Sequence, residues 1–376
     1  MSFEDFKKEV ADRIKDFLPD KYANADVRIE SIVKNNDQKL SGIVIKQEES
    51  NIAPNIYLES FYKEHENGKS MDSVLESIAK TREKYDVDHN FDVSKIADLD
   101  IAKDRITCRL VNAEQNAEYL SDKPHKVIDD LAVTYHVAIG SEGGSHMSAP
   151  ITDRLMESYG IDTEQLHKIA VENMDSLTPA SFKGMTETMV DMMMPDMIRS
   201  SMTEDEAKDA IAAMIPEIGE EKMYVLTNDD KLNGAAVLLN DKVMDEISDK
   251  LGGDYYILPS SIHEVLIIPE SPEYDLKTLE NMVRDVNATQ VAPEDRLSDH
   301  VYAYDTKEHE LFRADKAEER AASKEKAAVK VADKPEKKPE RKSLKERLAE
   351  KKAQVVKNEA GREHRQMKKD RNPVMM

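Results

Sequence analysis

The sequence contains a single cysteine among 376 residues. One cysteine excludes an internal disulfide and a metal site built only from thiolates, and it fits the reducing conditions of the cytoplasm. No apolar run approaches the roughly 18 residues that a membrane-spanning helix needs. The first residues, MSFEDFKKEV, have neither a basic n-region nor an apolar h-region, so no export signal is predicted. We therefore expect a soluble, cytoplasmic protein that does not act at a membrane.

Motifs for cofactor and metal chemistry are also missing. The loop GSEGGSH at 140–146 is rich in glycine, but it lacks the Lys-Ser/Thr ending of a P-loop and the G-x-G-x-x-G frame. It joins two strand-like segments instead of opening a helix, which indicates a flexible hairpin loop. His263 and Glu264 do not extend to H-E-x-x-H, because position 267 is Ile. We predict no cofactor and no metal.

Charge is divided unevenly along the chain. The formal net charge is -22, from 54 Lys and Arg against 76 Asp and Glu. Residues 311–376 hold 21 basic and 12 acidic residues, which leaves 33 basic and 64 acidic residues in 1–310. An acidic body with a basic tail suggests different partners for the two parts, although solubility alone accounts for an acidic surface.

Local patterns predict an α+β fold of mixed helices and short, mostly antiparallel sheets. Ser2, Ser70 and Asp162 precede apolar stripes at helical spacing and are typical of helix N-caps. VRIESIV and KLSGIVI flank the polar turn NNDQ, as in a hairpin. The segments 105–111 and 133–139 alternate apolar and polar residues, as strands with one buried face do.

Changes in composition divide the chain into four parts. From position 223 the apolar runs MYVLT, GAAVLL, YYIL and EVLII indicate strands, interrupted by a helix at about 241–251 that ends on two glycines. After Phe312 no aromatic residue remains, and Ala, Lys, Glu and Pro dominate. We predict an N-terminal α+β portion at 1–150, a helical Met-rich segment at 151–220, a C-terminal α+β unit at 221–312, and a flexible basic tail at 313–376 that is disordered or partly helical.

The stretch YYILPSSIHEVLIIPE brings reactive side chains close together in sequence. The candidate catalytic residues are Ser260, Ser261, His263 and Glu264. A serine nucleophile needs a base within hydrogen-bond reach, but the glycine frame that presents such a serine is absent. The flanking runs are typical of strands buried on both faces, and Pro259 with the two serines supplies a turn. A structural corner is the favoured interpretation, and a hydrolase site is the alternative.

Three other reactive side chains are expected to be structural. Cys108 lies on the apolar face of its strand and should be an inert buried thiol. His136 lies on the opposite face from its apolar neighbours and should be partly exposed, and His167 falls outside the apolar stripe of its helix and should be solvated. Nothing pairs these histidines at the spacing of metal ligands.

Methionine is concentrated in the middle of the chain. Seven occur within eighteen residues: Met185, Met189, Met192, Met193, Met194, Met197 and Met202. Met185, Met189 and Met193 share one helical face. Core filling is the favoured interpretation, and an interaction groove for a protein partner is the alternative, since methionine also lines adaptable binding surfaces.

The tail carries basic residues that could contact phosphates: Arg362, Arg365, Lys368, Lys369 and Arg371. Because no aromatic side chain is present to stack on bases, nucleic-acid binding there would be non-specific and sensitive to salt. Acidic patches on the body are another surface that these charges could engage.

Several phrases together resemble an uncharacterised family, a domain of unknown function from Gram-positive anaerobes that is often encoded on mobile genetic elements. They are KNNDQKLSGIVI, IAPNIYLESFY, DRITCRLVN, MYVLTNDDKLNGAAVLL, DYYILPSSIHEVLIIPE and VNATQVAPEDRLSDHVYAYD. The resemblance covers about residues 1–312 and implies no activity and no site residues. The part from MYVLTN to LIIPE is also similar to a second uncharacterised bacterial family, which suggests that this segment is a unit.

These observations favour a non-enzymatic interaction or accessory protein, and the resemblance implies service to a mobile element. One alternative is a hydrolase-like enzyme that uses His263 with Ser260 or Ser261. Another is a nucleic-acid-associated factor that acts through its basic tail. The expected partner is a protein.

Overall fold

A computed structural model describes residues 1–86, 92–142, 145–200, 202–214 and 222–332. Contacts group Met1–Ala317 into one compact unit. The α-helices are α1 (Phe3–Arg13), α2 (Glu59–Glu66), α3 (Met71–Lys84), α4 (Ser94–Ala97), α5 (Leu99–Ala102), α6 (Ala117–Leu120), α7 (Asp153–Tyr159), α8 (Thr163–Glu172), α9 (Met174–Leu177), α10 (Met185–Arg199), α11 (Glu204–Met214), α12 (Asp241–Leu251), α13 (Leu276–Thr289) and α14 (Ala317–Ala332).

The strands are all paired in antiparallel fashion. They are β1 (Asp26–Val33), β2 (Lys39–Lys46), β3 (Asn55–Tyr57), β4 (Ile106–Asn112), β5 (Lys126–Ile128), β6 (Leu131–Glu142), β7 (Ser145–Pro150), β8 (Ala180–Gly184), β9 (Tyr224–Asn228), β10 (Tyr255–Leu258), β11 (Val265–Pro269), β12 (Tyr302–Asp305) and β13 (Glu310–Arg313). The predicted α+β class with short antiparallel sheets is confirmed. The predicted boundaries near 150, 220 and 312 remain predictions.

The N-terminal part folds around a three-stranded sheet of order β1-β2-β3. Ser2 caps α1 and Ser70 caps α3, each by accepting a hydrogen bond from a backbone N–H in the first turn, as predicted. β1 and β2 form the predicted hairpin. The apolar stripes of α1 and α3 pack on the sheet, where Phe6, Ile43 and Leu75 are fully buried.

The second sheet is organised by the long strand β6, which pairs with β4, β5 and β7. The alternation predicted for β4 is confirmed, since Ile106, Cys108 and Leu110 are buried in the main core. β6 and β7 include most of the glycine-rich stretch 140–146, and Glu142 pairs with Ser145. The two strand-like segments therefore pair in antiparallel fashion, and positions 143 and 144 lie outside the described residues.

The C-terminal sheet has six strands in the order β13-β12-β10-β11-β9-β8. One face packs on the main core through Ile257 and Ile267, and the other packs on α13 through Ile268 and Leu279. Because both faces are covered, successive residues of β10 and β11 are apolar.

Two local predictions are wrong. GAAVLL forms a 3₁₀ helix, Gly234–Leu239, instead of a strand. Asn233 precedes it in the left-handed conformation, with a φ of 54°, and the short helix is buried on all sides, which gives an apolar run without a strand. The middle of the chain is also not wholly helical, because β8 pairs with β9 and extends the C-terminal sheet.

A buried carboxylate, Asp130, joins the second sheet to the C-terminal sheet. Its oxygens accept hydrogen bonds from the Tyr302 hydroxyl at 2.6 Å, the Ser298 hydroxyl at 2.7 Å and the Asn112 amide at 3.2 Å. Burial and the neighbouring Asp130 charge raise the pKa of Tyr302, so its hydroxyl remains a donor at neutral pH. These three donors replace the hydrogen bonds to water that the carboxylate loses on burial.

α14 follows the compact unit. Among the described ranges, none of the helices combines the length and the apolar composition of a membrane span. Positions 333–376 fall outside those ranges, and the proposed nucleic-acid contacts lie there: Arg362, Arg365, Lys368, Lys369 and Arg371. The nature of the tail stays a prediction.

We expect Tyr302→Phe to lower the free energy of unfolding by about 1–3 kcal/mol, because it removes a donor from a buried carboxylate. Urea unfolding of the wild-type and variant proteins measures the change. Tyr85→Phe is the matched control, since that residue is 44% exposed, and it should change the free energy by less than about 0.5 kcal/mol. Equal effects of the two substitutions would contradict the importance of the Asp130 bonds.

Candidate functional site

The corner after β10 holds the predicted hydrolase residues. Ser261 forms an isolated β-bridge with Arg296, and its hydroxyl accepts a hydrogen bond from the backbone N–H of His263 at 3.0 Å. Among the described residues, neither the Ser260 nor the Ser261 hydroxyl is bonded to the His263 ring. Glu264 is exposed. The residues are neighbours at a corner between two antiparallel strands.

Both ring nitrogens of His263 are engaged by other groups. Nδ1 accepts a hydrogen bond from the backbone N–H of Asn233 at 3.2 Å, and Nε2 lies 3.2 Å from an oxygen of Asp295. A ring nitrogen that accepts from an amide carries no proton, so the neutral ring has its proton on Nε2 and donates it to Asp295. The backbone carbonyl of His263 also accepts from the Thr227 hydroxyl at 2.7 Å. His263 therefore fastens the loop after β9 to the corner.

The turn at Asn233 and Gly234 has no room for a further side chain. A Cβ atom on Gly234 would lie 2.2 Å from Oγ1 of Thr227 and 2.5 Å from the carbonyl oxygen of His263. Both distances are shorter than van der Waals contact, so only glycine allows this close approach. The approach determines the position of Asn233, which lines a cleft.

The cleft has a volume of about 230 Å³ and lies between this turn and the second sheet. Strands β4, β6 and β7 supply one part of its lining, and the ends of α9 and β9 with the segments that follow them supply the rest. The residues with polar or bulky side chains include Thr107, Arg109, Met147, Ser148, Leu177 and Asn233. The cleft is therefore assembled from segments far apart in sequence.

Arg109 brings a positive charge to this cleft. Its Nη2 donates a hydrogen bond to the Ser148 hydroxyl at 2.5 Å. Burial lowers the pKa of Arg109. Within the part of the chain that the structure describes, no carboxylate forms an ion pair with the guanidinium. The charge is thus partly removed from water without an acidic partner.

His136 is buried, so the prediction of partial exposure is wrong. The residue is 4% exposed, and its Nε2 lies 3.3 Å from the Tyr119 hydroxyl. Its Nδ1 has no hydrogen-bond partner among the described residues. Burial, with the charges of Arg109 and Lys123, lowers the pKa of His136 well below its usual value. The ring is therefore neutral at pH 7 and adds no charge to the region.

Of the two remaining reactive side chains, His167 differs from its predicted exposure and Cys108 agrees with it. His167 is half-buried instead of solvated, with Nδ1 3.1 Å from the Tyr135 hydroxyl, and burial lowers its pKa. Cys108 is buried as predicted, and burial raises the pKa of its thiol to about 12. A thiol with that pKa is protonated at neutral pH and is not a nucleophile.

The methionine cluster lies at the surface on α10. No residue of this helix is buried, so the interpretation as core filling is wrong. Met189 and Met192 are 41% and 67% exposed, while Met185 and Met193 are half-buried. α10 packs on α11 and on the last strands of the C-terminal sheet, and in the part of the chain that the structure describes Ile198 is exposed as well. Helical spacing alone does not distinguish a core face from such a surface.

A group of possible cation ligands lies near the end of the compact unit. Side-chain atoms of Glu280, His300 and Asp315 lie within 4.8 Å of one another. Arg284 donates to Glu280 at 3.4 Å, and Arg313 donates to both oxygens of Asp315 at 3.0 and 2.6 Å. A cation would compete with two guanidinium groups for these carboxylates, so the geometry favours an ion-pair cluster.

Sequence reasoning missed Arg109. Its position in the alternation of β4 is typical of a solvated arginine, and a solvated arginine needs no explanation. Only the pairing of Arg109 with Thr134 of β6, where the partner is 1% exposed, indicates that this polar face is covered. That pairing joins segments that no local pattern connects.

We expect Gly234→Ala to lower the free energy of unfolding by about 1–3 kcal/mol, because the new methyl group overlaps Thr227 and the backbone of His263. Urea unfolding measures the change. Gly253→Ala is the matched control: its Cβ would meet no atom within 4 Å, and its φ lies outside the left-handed region. If both variants lose the same stability, the close approach does not constrain the turn.

We expect His136 to make stability depend on pH below about 6.5. Its pKa is lowered in the folded state, so the unfolded chain, with a pKa of about 6.5, binds a proton that the folded chain does not. The free energy of unfolding should therefore fall as the pH drops below that value, with a limiting slope of about 1.4 kcal/mol per pH unit.

His136→Gln should remove this contribution, whereas His125→Gln, at an exposed histidine, should retain it. Urea unfolding at several pH values between about 5 and 8 measures the slopes. Identical slopes in the His136 variant and the wild type would show that His136 is not the group responsible.

Comparison with known proteins gives a family for the chain. No curated protein and no solved structure matches it. The model of one family matches residues 3–306, a range that contains the corner, the cleft and α10. The chain belongs to the family of unknown function DUF5688.

Proposed function

We propose that the chain is a non-enzymatic interaction or accessory protein that binds a basic, amphipathic segment of a protein partner through α10. The observation that carries this proposal is the exposure of large apolar side chains on one helix, Met189, Met192 and Ile198. Clustered exposed apolar residues are typical of interaction sites. Methionine suits such a site because its flexible side chain adapts to the shape of a partner.

Charge around α10 supports a basic partner. Positions 185–206 contain six acidic residues and one basic residue, Arg199. Lys183 pairs with Glu187 and Asp191, which neutralises part of this charge. The surroundings remain acidic, as does the sequence of residues 1–310 as a whole. A partner that presents lysine or arginine beside apolar side chains would complement both properties.

The hydrolase alternative is the weaker proposal. A base must offer a free ring nitrogen to the nucleophile, whereas the hydrogen bonds of His263 to Asn233 and Asp295 occupy both nitrogens. The nucleic-acid alternative depends on tail residues beyond position 332. Neither alternative has a described contact in its favour.

Two further features support a cytoplasmic location and an accessory role for the proposed function. The single cysteine is a free, buried thiol, which fits a reducing cytoplasm. The resemblance to proteins of mobile genetic elements in Gram-positive anaerobes supports an accessory role for such an element.

The combined substitution Met189→Gln and Met192→Gln should weaken binding of a basic amphipathic peptide at least about tenfold, because it removes apolar contact area. The probe is a fluorescently labelled peptide of leucine and lysine at helical spacing. Fluorescence anisotropy with the full chain measures its affinity.

The control variant carries Val127→Gln and Ile101→Gln, which are 58% and 44% exposed at other places on the surface. Its affinity should equal that of the wild type. A peptide with glutamate in place of lysine should not bind. The proposal is contradicted if the wild type does not bind the basic peptide, or if the control variant loses as much affinity as the α10 variant.

A further inference from the structure

The cleft contains a positive charge, Arg109, that forms no ion pair with an acidic side chain in the part of the chain that the structure describes. Arg109 has five N–H donors, and among the described residues one hydrogen bond is made, from Nη2 to the Ser148 hydroxyl. Placing a guanidinium out of water without a counter-ion costs free energy of folding. Binding of an anion would explain why an arginine that destabilises the fold is present at this position.

The groups around Arg109 do not neutralise it. Burial raises the pKa of Tyr119 and lowers that of His136, so both side chains are uncharged at pH 7. Lys123, which forms an ion pair with Asp122 at 2.6 Å, also lowers the pKa of His136. The side chains of Tyr119 and His136 therefore bring no negative charge to the remaining donors of Arg109.

Part of the cleft wall suits a short hydrocarbon chain. Met147, Leu177 and Leu232 contribute apolar surface, and Asn233 contributes a side-chain amide at the turn held by His263. The volume of about 230 Å³ accommodates a molecule of a few carbon atoms. Apolar walls with a few polar or charged groups, here including Arg109 and Asp230, are typical of sites for small organic ligands.

We propose that Arg109 binds the carboxylate of a small organic acid in this cleft. A guanidinium and a carboxylate form two parallel N–H···O bonds, a geometry that provides both strength and orientation. A carboxylate is favoured over phosphate because Asp230 also lines the cleft, and its charge repels a dianion more strongly than a monoanion.

Ligand-observed NMR with the full chain tests the proposal, with butyrate as the probe. Butyrate should bind with a dissociation constant of about 1 mM or lower. Butyramide has the same shape without the charge and should bind at least about tenfold more weakly. Inorganic phosphate should bind more weakly than butyrate.

Arg109→Gln should weaken butyrate binding about 10- to 100-fold, the range expected for loss of a charge-assisted pair. Arg105→Gln is the matched control, because Arg105 is an exposed arginine just before the same strand and does not line the cleft. Its affinity should equal that of the wild type. Arg109→Lys keeps the charge but loses the planar fork, and it should lie between the two.

Thermal unfolding of Arg109→Gln separates loss of binding from loss of fold. Its transition temperature should be equal to or higher than that of the wild type, because the substitution removes an uncompensated charge. The proposal is overturned if butyrate does not bind below about 10 mM, if Arg109→Gln and Arg105→Gln affect binding equally, or if phosphate binds more tightly than butyrate. If Arg109→Gln does not fold, Arg109→Lys with full butyrate affinity overturns it as well.

Discussion

The buried carboxylate of Asp130 is the constraint on which the arrangement of the two larger sheets depends. With 5% of its surface exposed, it requires donors from the protein, and it obtains them from Asn112 on β4, Ser298 before β12 and Tyr302 on β12. Asp129, in the left-handed conformation with a φ of 55°, also accepts a backbone N–H from the end of β13. Neither sheet can shift against the other without leaving this carboxylate short of partners.

The same arrangement produces the cleft. With β4 held near the 3₁₀ helix Gly234–Leu239, the loop after β9 comes to lie beside the sheet, and the hydrogen bonds of His263 hold it there. His263 thus acts as a positioning residue for Asn233. The imidazole of His263 suggests a catalytic base in the sequence, but in the structure it holds the loop after β9 in place. The side chain in this region that can bind a ligand is Arg109, on the opposite wall of the cleft.

Sequence patterns anticipated what depends on neighbouring residues. The caps at Ser2 and Ser70, the hairpin of β1 and β2, and the buried thiol of Cys108 follow from spacing alone, because each is determined within one or two elements. His136 and Arg109 were not anticipated, because an alternating strand indicates which side chains share a face and not what covers that face. The prediction that the methionines of α10 fill the core was also wrong, because an apolar helical face is compatible with burial and with exposure.

Charge connects the cleft with the rest of the molecule. Beyond about 10 Å, surface acids are largely screened at physiological salt, so the net charge of -22 slows the approach of anions without preventing their binding at a partly buried cation. Inside the cleft the dielectric constant is lower than in water, so the charge of Arg109, and that of Asp230 beside it in the lining, acts more strongly on a bound ligand. An acidic exterior around a cationic site discriminates against multiply charged anions more than against monoanions.

The surface around α10 would select the opposite charge. Its exposed apolar side chains lie among acidic residues, so the proposed partner is basic. The two proposed sites would therefore select ligands of opposite charge, and a single ligand would not occupy both.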